Sequence, residues 1–592
     1  MDSKIDYTQQ EELTHGDNPN HVSEKATPLR SSREDNLTWR EVFTWRVNLS
    51  ILFLGIAYAQ TIGFILFCSI LVSEYQKSFG AASNATWIPI SHITAATVVF
   101  SIWGRWSDIV GRRYVFLAAN VFSVVGSVVG ATASSSNQMI AAGVLSGIAN
   151  GANQLSTAAM LELVPNQFKP YVMGFWALSG LPLQFAPLIS GSFIADYGVG
   201  WKGCWWLMLA IAATTFIGLL LVYFPPKGEE MDQNEELKHG FKYELMHFDW
   251  FGVILLAGSL VSILLGLQWG GQQYPWDSAR VITCIVVGGV GLVALAYWEY
   301  LSIPKIPLVS MELIKMGRAF VIPCTTIAFS AMGYYSMNII WPIMISALFT
   351  TSARTASYYQ MASPSATLAA AFVYAPIAKR VKHYRWQIVF WSLFQGAFTA
   401  AMAASDKDSR VMSTVFVCLI GVGLTGLQLN AQLCFTTQIP PRLLGSAFGL
   451  SGCFRQFVGS IASAVYITCL QNELKSNLPK KVTPAALGAG LPQSSLPSLF
   501  GAISSGDPSA FAAVSGATPS VLAAVTDAAK EAYSESFKTV FLVSIAFASV
   551  CTLSSIFIKS FGTENTDNHI TLKVKVVGED EAEKVTIRKL DL

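Results

Sequence analysis

Residues 104–113 read Gly104-Arg-Trp-Ser-Asp108-Ile-Val-Gly111-Arg112-Arg113, and they separate two long apolar runs. A charged decapeptide flanked by such sequence must lie at one face of a membrane, as a hairpin joining two spanning helices. Its three arginines predict that this face is cytoplasmic, because positive side chains are retained on the side from which helices insert. Counting spans back from it puts the N-terminus on the same side. Gly104 removes a side chain where two helix ends approach, Gly111 permits a turn with positive φ, and Asp108 gives the arginines an acceptor.

The composition belongs to a chain that lives in lipid. Of 592 residues, 52% are hydrophobic and 13% charged, with a mean hydropathy of +0.45, which excludes an ordinary soluble multidomain protein. The net charge of +2, from 39 basic and 37 acidic residues, leaves no footprint for a nucleic acid. Nine cysteines lie in or beside apolar runs without Cys-x-x-Cys spacing and read as small buried hydrophobes. Seven histidines are scattered with no His-x-x-x-His pair, and no phosphate-cradling Gly-x-x-x-x-Gly-Lys-Ser/Thr loop occurs. No cofactor and no metal are therefore expected, and without a converging His, Cys or acidic set the chain does not read as an enzyme.

Fourteen apolar runs, each long enough for a bilayer core of about 30 Å, begin near residues 47, 87, 114, 138, 170, 203, 250, 280, 319, 357, 386, 411, 443 and 539. The fold class expected is all-α, a polytopic membrane protein with 14 transmembrane helices in a six plus two plus six layout. Residues 1–45 form a polar cytoplasmic tail and 46–224 a first six-helix bundle. Residues 225–318 supply a charged linker and two extra spans, 319–560 a second six-helix bundle with a long outer loop at 470–538, and 561–592 a solvated cytoplasmic tail. In the outer loop, Asp507 before Pro508 and Thr518 before Pro519 are natural helix N-caps, which suggests short helices forming a lid.

The hairpin matches the Gly-x-x-x-Asp-x-x-Gly-Arg-Arg signature between the second and third helices of the major facilitator superfamily, and the chain is identified as resembling that family. The resemblance implies that Gly104, Asp108, Gly111, Arg112 and Arg113 form a gate that latches two helical bundles in one of their states. A second copy would fall at 376–385, where basic charge survives but the aspartate and glycines do not. Glu162-Leu-Val-Pro-Asn166, Phe248-Asp-Trp-Phe-Gly252, Gly266-Leu-Gln-Trp-Gly-Gly271 and Gly490-Leu-Pro-Gln-Ser-Ser-Leu-Pro497 together resemble the fungal fourteen-span drug:proton antiporter branch that includes trichothecene efflux pumps. That branch implies export of a toxin or secondary metabolite, most simply in exchange for protons.

Polar residues inside apolar runs are the candidates for binding, since hydrocarbon tolerates them only when they are turned inward. Arg455 is the one formally charged residue near the middle of a span, where it costs from about 2.5 to 3.5 kcal/mol on insertion scales. It reads either as facing cargo in a wet cavity or as bonded to helix-end carbonyls. Asn150 and Gln154 in span four, matched by Gln428 and Gln432 in span twelve, read as pore-lining groups or as glue between helices. Gln184 in span five, and Tyr335 and Asn338 in span nine, complete the substrate-binding candidates. Span five should kink at Pro182, Pro187 and Gly191. His92 and Glu162 are the proton-coupling candidates.

The reading is a secondary active transporter exporting a small amphipathic molecule by alternating access, with protons and the lipid bilayer as its other partners and a monomer as its state. The cell membrane is the expected site, with a vacuolar or vesicle membrane as the alternative, and both termini in the cytosol. The rivals are uptake of ferric siderophores on the same fold and, from another class, a non-transporting receptor.

Overall fold

The computed structural model describes residues 39–559 apart from 81–83, 86, 196–198, 226–242, 244–245, 272, 302–303, 305, 351–352, 382, 506–515 and 517. Two units are distinguished: Met1–Val42, in which the short helix Trp39–Val42 is described, and Phe43–Leu592, which holds every element below. The tail expected at 561–592, most of that at 1–45 and the Asp507 cap lie outside the described residues.

Among the described residues the fold is helical, with isolated bridges at Phe248–Ile306 and Gly270–Tyr274. The principal helices are α1 (Trp45–Ile70), α2 (Trp87–Ile109), α3 (Arg112–Ala131), α4 (Ser136–Asn153), α5 (Lys169–Ile194, interrupted), α6 (Lys202–Val222), α7 (Trp250–Trp269) and α8 (Ala279–Tyr300). They continue as α9 (Val321–Met344), α10 (Ala362–Arg380), α11 (Tyr384–Ala401), α12 (Arg410–Gln438), α13 (Leu444–Gly488) and α14 (Pro519–Ile556). Eleven are long and apolar enough to cross a membrane; α4, α9 and α10 stand outside that set. In α4 the reason is visible in the sequence: amides and glycines dilute its apolar residues, and the helix breaks at Gln154 before resuming as Ser156–Glu162.

Local signals place the ends. Thr44 and Ser135 cap α1 and α4, Asp249 caps α7 by accepting the Gly252 N–H at 2.8 Å, and Ser278 and Thr518 cap α8 and α14. Arginines sit at the opposite ends, where exposed carbonyls and the helix dipole favour them. Arg318 and Arg385 donate to the carbonyls of Phe557 and Ile556, at 3.1 and 2.5 Å, just past or at the end of α14.

Helices α1–α6 pack on one another, as do α9–α14, and the two sets meet where α2 crosses α13 and where α5 lies along α10. The pair α7 and α8 packs through Gly288 and Gly291, on which a Cβ would fall 2.6 Å from the Ser259 carbonyl oxygen and 2.2 Å from the Ser259 hydroxyl, respectively. Phe248, Leu256, Leu260, Leu295, Ile306 and Leu308 then join Phe100 and Cys453 in one apolar cluster, which seats the extra helices against α2 and α13.

Segment 470–538 is helical over most of its described residues. Helix α13 runs for 45 residues, about 67 Å at the usual rise and more than twice a bilayer core, straight through Pro479 and Pro484. Helix α14 begins at Pro519, some twenty residues before its apolar run. Their protruding parts close on the short helix Leu496–Ser505 around a separate core of Val482, Ala486, Leu491, Leu499, Val521 and Val525. Lys481 adds ion pairs to Glu531 and Glu535, each at 2.9 Å. The segment is thus mainly an extension of two spans.

Candidate functional site

Hairpin 104–113 lies where α2 ends and α3 begins, and Gly111 turns the chain with φ 103°, a conformation that residues with a Cβ rarely adopt. Gly104 meets a different demand. A Cβ on it would stand 2.5 Å from the Gly445 carbonyl oxygen and 2.8 Å from Gly449 Cα, and one on Gly449 would stand 2.5 Å from the Phe100 carbonyl oxygen. Helices α2 and α13 therefore cross backbone to backbone, which brings Asp108 against the first turn of α13.

Asp108 uses both oxygens there. Oδ1 accepts the Gly445 N–H at 2.8 Å, and Oδ2 accepts the N–H and the hydroxyl of Ser446, each at 2.6 Å. First-turn N–H groups have no intrahelical partner, and α13 starts after Leu443, whose side chain cannot cap. A carboxylate from the other set of helices supplies the cap and meets the positive end of the helix dipole. Arg112 compensates the buried charge: its Nη1 lies 2.8 Å from Asp108 Oδ1 and donates to the Ser107 hydroxyl, while Nη2 and Nε hold Glu162 at 2.7 and 3.1 Å. Breaking one member of such a buried network costs about 3–5 kcal/mol, because a charge is left unpaired. The arginines are thus only part of what Asp108 serves; its other partner, the head of α13, is absent from the hairpin sequence.

Arg113 turns the other way. Its Nη1 and Nη2 donate to the Tyr223 and Leu220 carbonyls, both at 2.9 Å, and its guanidinium lies 3.6 Å from the Phe224 ring centroid. It caps α6 within its own set. A second tie between the sets comes from buried Lys169, at the head of α5, whose Nζ donates to the Thr436 carbonyl on α12 at 3.3 Å. Sequence reading missed it, since one lysine at the start of a span is what charge bias alone predicts.

The amide rows divide. Asn150 Nδ2 lies 3.0 Å from His92 Nε2, and His92 Nδ1 lies 2.9 Å from Ser146 Oγ. Both ring nitrogens of His92 are thus occupied in a buried site between α2 and α4, and Asn150 joins the two helices there. Gln60 donates to Asn120 at 3.2 Å and to the Thr215 hydroxyl at 2.7 Å, and Asn120 donates to Asn153 at 3.2 Å. Gln154 accepts the Thr61 hydroxyl at 3.2 Å. Glu162, the other proton candidate, is held by Arg112. A buried amide without water must find a neighbouring helix, and the glycines of α4 bring one close: a Cβ on Gly147 would stand 2.4 Å from the His92 carbonyl oxygen.

Comparison with known proteins places this architecture. The model of the fungal trichothecene efflux pump family (TRI12) matches residues 49–585. The chain belongs to that family. It is 28% identical over 505 residues to the trichothecene efflux pump TRI12 of Fusarium sporotrichioides, covering 83% of this chain and 82% of that one. To the MFS-type transporter prx5 of Penicillium rubens it is 27% identical over 463 residues, 76% of this chain and 81% of that one. Among solved structures, the major facilitator superfamily proton:xylose symporter XylE bound to 6-bromo-6-deoxy-D-glucose aligns with a TM-score of 0.50 at 12% identity, over 72% of this chain and 89% of that one. This member of the efflux pump family is a multi-pass membrane transporter with the major facilitator fold, not an enzyme.

The transporter keeps a few polar groups that find no partner among the described residues. Helix α5 is interrupted at Gly180 and at Phe185, each just ahead of a proline, Pro182 or Pro187. Gly191 faces open space. Between the breaks, Gln184 leaves a buried Oε1 without a partner, and so does Gln432 on α12. Gln428 is half-buried. Arg455 on α13 is half-buried and, among the described residues, makes no hydrogen bond or ion pair. It faces Tyr58 of α1 at Coulombic range, as Tyr334 of α9 also does. Tyr58 stacks on Trp176 of α5 with ring centroids 4.0 Å apart. Tyr335 and Asn338 lie on α9, but their side chains are outside the described residues.

Proposed function

We propose that the chain exports a small amphipathic secondary metabolite, of the trichothecene type, from the cytosol across the cell membrane by alternating access and proton antiport, as a monomer. The observation that carries the cargo site is the Arg455 guanidinium, which has no hydrogen bond or ion pair among the described residues and is set against Tyr58 of the opposite helix set. A guanidinium in a spanning helix needs an acceptor, and an oxygen-rich ligand supplies one. The unpartnered Oε1 atoms of Gln184 and Gln432 suit ligand hydroxyls, and the Tyr58–Trp176 pair suits an apolar skeleton. On this reading hairpin 104–113 is the cytoplasmic gate. The efflux pumps and MFS-type transporter among its relatives support export over siderophore uptake.

The test is export of a labelled trichothecene from yeast expressing the full chain. Arg455→Ala is expected to cut export at least tenfold at unchanged membrane abundance, a loss of about 1.4 kcal/mol or more in cargo stabilisation. Unimpaired export by the variant would return Arg455 to a structural role.

A further inference from the structure

The two extra helices carry a buried acidic pair that the gate description does not use. Glu299, at the foot of α8, is 2% exposed, and Asp249, which caps α7, is 4% exposed. Each has one oxygen in use: Glu299 Oε1 accepts the Val309 N–H at 3.0 Å, and Asp249 Oδ1 accepts the N–H groups of Gly252 and of the Trp298 ring, at 2.8 and 3.2 Å. Each leaves the other oxygen, Glu299 Oε2 and Asp249 Oδ2, buried without a donor at hydrogen-bond geometry among the described residues, the Leu308 N–H lying near the Glu299 carboxylate as a weaker contact. A buried carboxylate oxygen without a donor is costly, and two like charges in mutual range add to that cost. A proton is the smallest ligand that relieves both.

What makes the pair more than a packing oddity is where its one strong bond leads. The strap 306–309 is held at Val309 by Glu299, paired at Ile306 with Phe248, and held at Pro307 by Arg105, whose Nε donates to the Pro307 carbonyl at 3.2 Å. Arg105 is the residue after Gly104 in the gate hairpin. Ile306, Leu308 and Phe248 pack in the cluster that takes in Trp106 and Ile109 of the same hairpin. The charged groups facing Glu299 are Asp249 from the head of α7 and Arg105 from α2; the strap itself, Ile306-Pro-Leu-Val309, brings none.

We propose that Glu299, paired with Asp249, is a proton-binding site that sets the strength of the Asp108 latch through strap 306–309 and Arg105. It rests on the reading of hairpin 104–113 as the transporter's gate. Ionised, Glu299 holds the Val309 N–H with a charge-assisted bond and attracts Arg105, which keeps the strap and hairpin in place. Protonated, it does neither as well. The latch is therefore firm above the range in which Glu299 titrates and weakens as pH falls through that range, which is the sign an antiporter needs if the proton-loaded form opens inward.

The experiment is amide hydrogen exchange on the purified full chain in lipid nanodiscs, without cargo. Protection of the Gly445 and Ser446 amides, corrected for intrinsic exchange, is followed between about pH 5.5 and about pH 8. The wild type is expected to lose about tenfold in protection toward the acid end. Glu299→Gln, which keeps an acceptor for Val309 but no charge, is expected to show the low protection at every pH. Asp249→Asn, which keeps the α7 cap, is expected to move the pH at which protection changes. A Glu299→Gln curve that follows the wild type overturns the proposal, as does a wild-type curve that is flat. Asp108→Asn serves as the control: if it leaves the protection of Gly445 and Ser446 untouched, the gate reading itself falls and takes the proposal with it, a signature distinct from either failure above.

Discussion

Hairpin 104–113 and segment 376–385 occupy equivalent places in the two sets of helices, and they behave differently. Pro376, Arg380, His383, Tyr384 and Arg385 stand where Gly104, Asp108, Gly111, Arg112 and Arg113 stand. The last residue is common to both, and so is its work. Arg113 caps the sixth helix of its set at Leu220 and Tyr223, and Arg385 caps the sixth of the other at Ile556. The aspartate is not shared. Asp108 crosses to the head of α13, whereas Arg380 is exposed at the end of α10, and a cation there could not accept from the first turn of α5, which is headed by Lys169 and Pro170. Keeping the arginine holds each set together; keeping the aspartate ties one set to the other. The fold thus carries a strong tie at α2–α13 and, at α5–α12, the Lys169 bond to a carbonyl.

The sharpest way to break this comparison is to remove both acid and counterpart. Asp108→Ala is expected to lower export at least a hundredfold while the protein still reaches the membrane, since about 3–5 kcal/mol of buried network is lost from one state of the cycle. Arg380→Ala, measured in the same vesicle assay, should stay within about twofold of wild type, consistent with the small effect of most exposed substitutions. Equal losses would show that both segments latch.

A smaller effect is expected at the crossing. Gly104→Ala places a Cβ 2.5 Å from the Gly445 carbonyl oxygen, so α2 and α13 must separate. Overpacking of this kind costs about 1–3 kcal/mol, and export should fall about tenfold or more with accelerated exchange at Gly445 and Ser446. Pro376→Ala offers the matched control and should leave that exchange unchanged.

The smallest effects should be the most alike. Arg113→Gln and Arg385→Gln each remove charged donors to helix-end carbonyls, for a loss of about 0.5–2 kcal/mol in stability read as a drop in thermal midpoint. A drop several times larger for one of them would mean that the shared arginine is not doing the same work twice.

Much of this was legible in the chain. The hairpin motif, the helix interruptions ahead of Pro182 and Pro187 and the Thr518 cap are local, and local chemistry decides them. The partners were not legible, because Asp108 meets Ser446 from 338 residues away and Glu162 meets Arg112 from fifty. The amides of α4 could be read equally as lining or as glue, and their contacts with His92 and Asn120 depend on neighbouring helices that the local sequence does not name. Arg105 counted in the sequence as one more cation; its bond to the Pro307 carbonyl depends on a strap folded back from beyond α8. The helical extension of α13 was lost because Pro479 and Pro484 argue for breaks, a penalty offset here by the apolar face packed against Val521 and Val525.

That extension has a practical reach. Transporters of this size are hard to orient in projection images, because a detergent or nanodisc belt hides everything with recognisable shape. Here Val482, Leu499 and Val525 pack a helical knob on continuations of α13 and α14, and α13, at about 67 Å, is more than twice the thickness of a bilayer core. Particles can be aligned on that knob, and a binding fragment raised against it would mark the molecule while leaving the hairpin free to move.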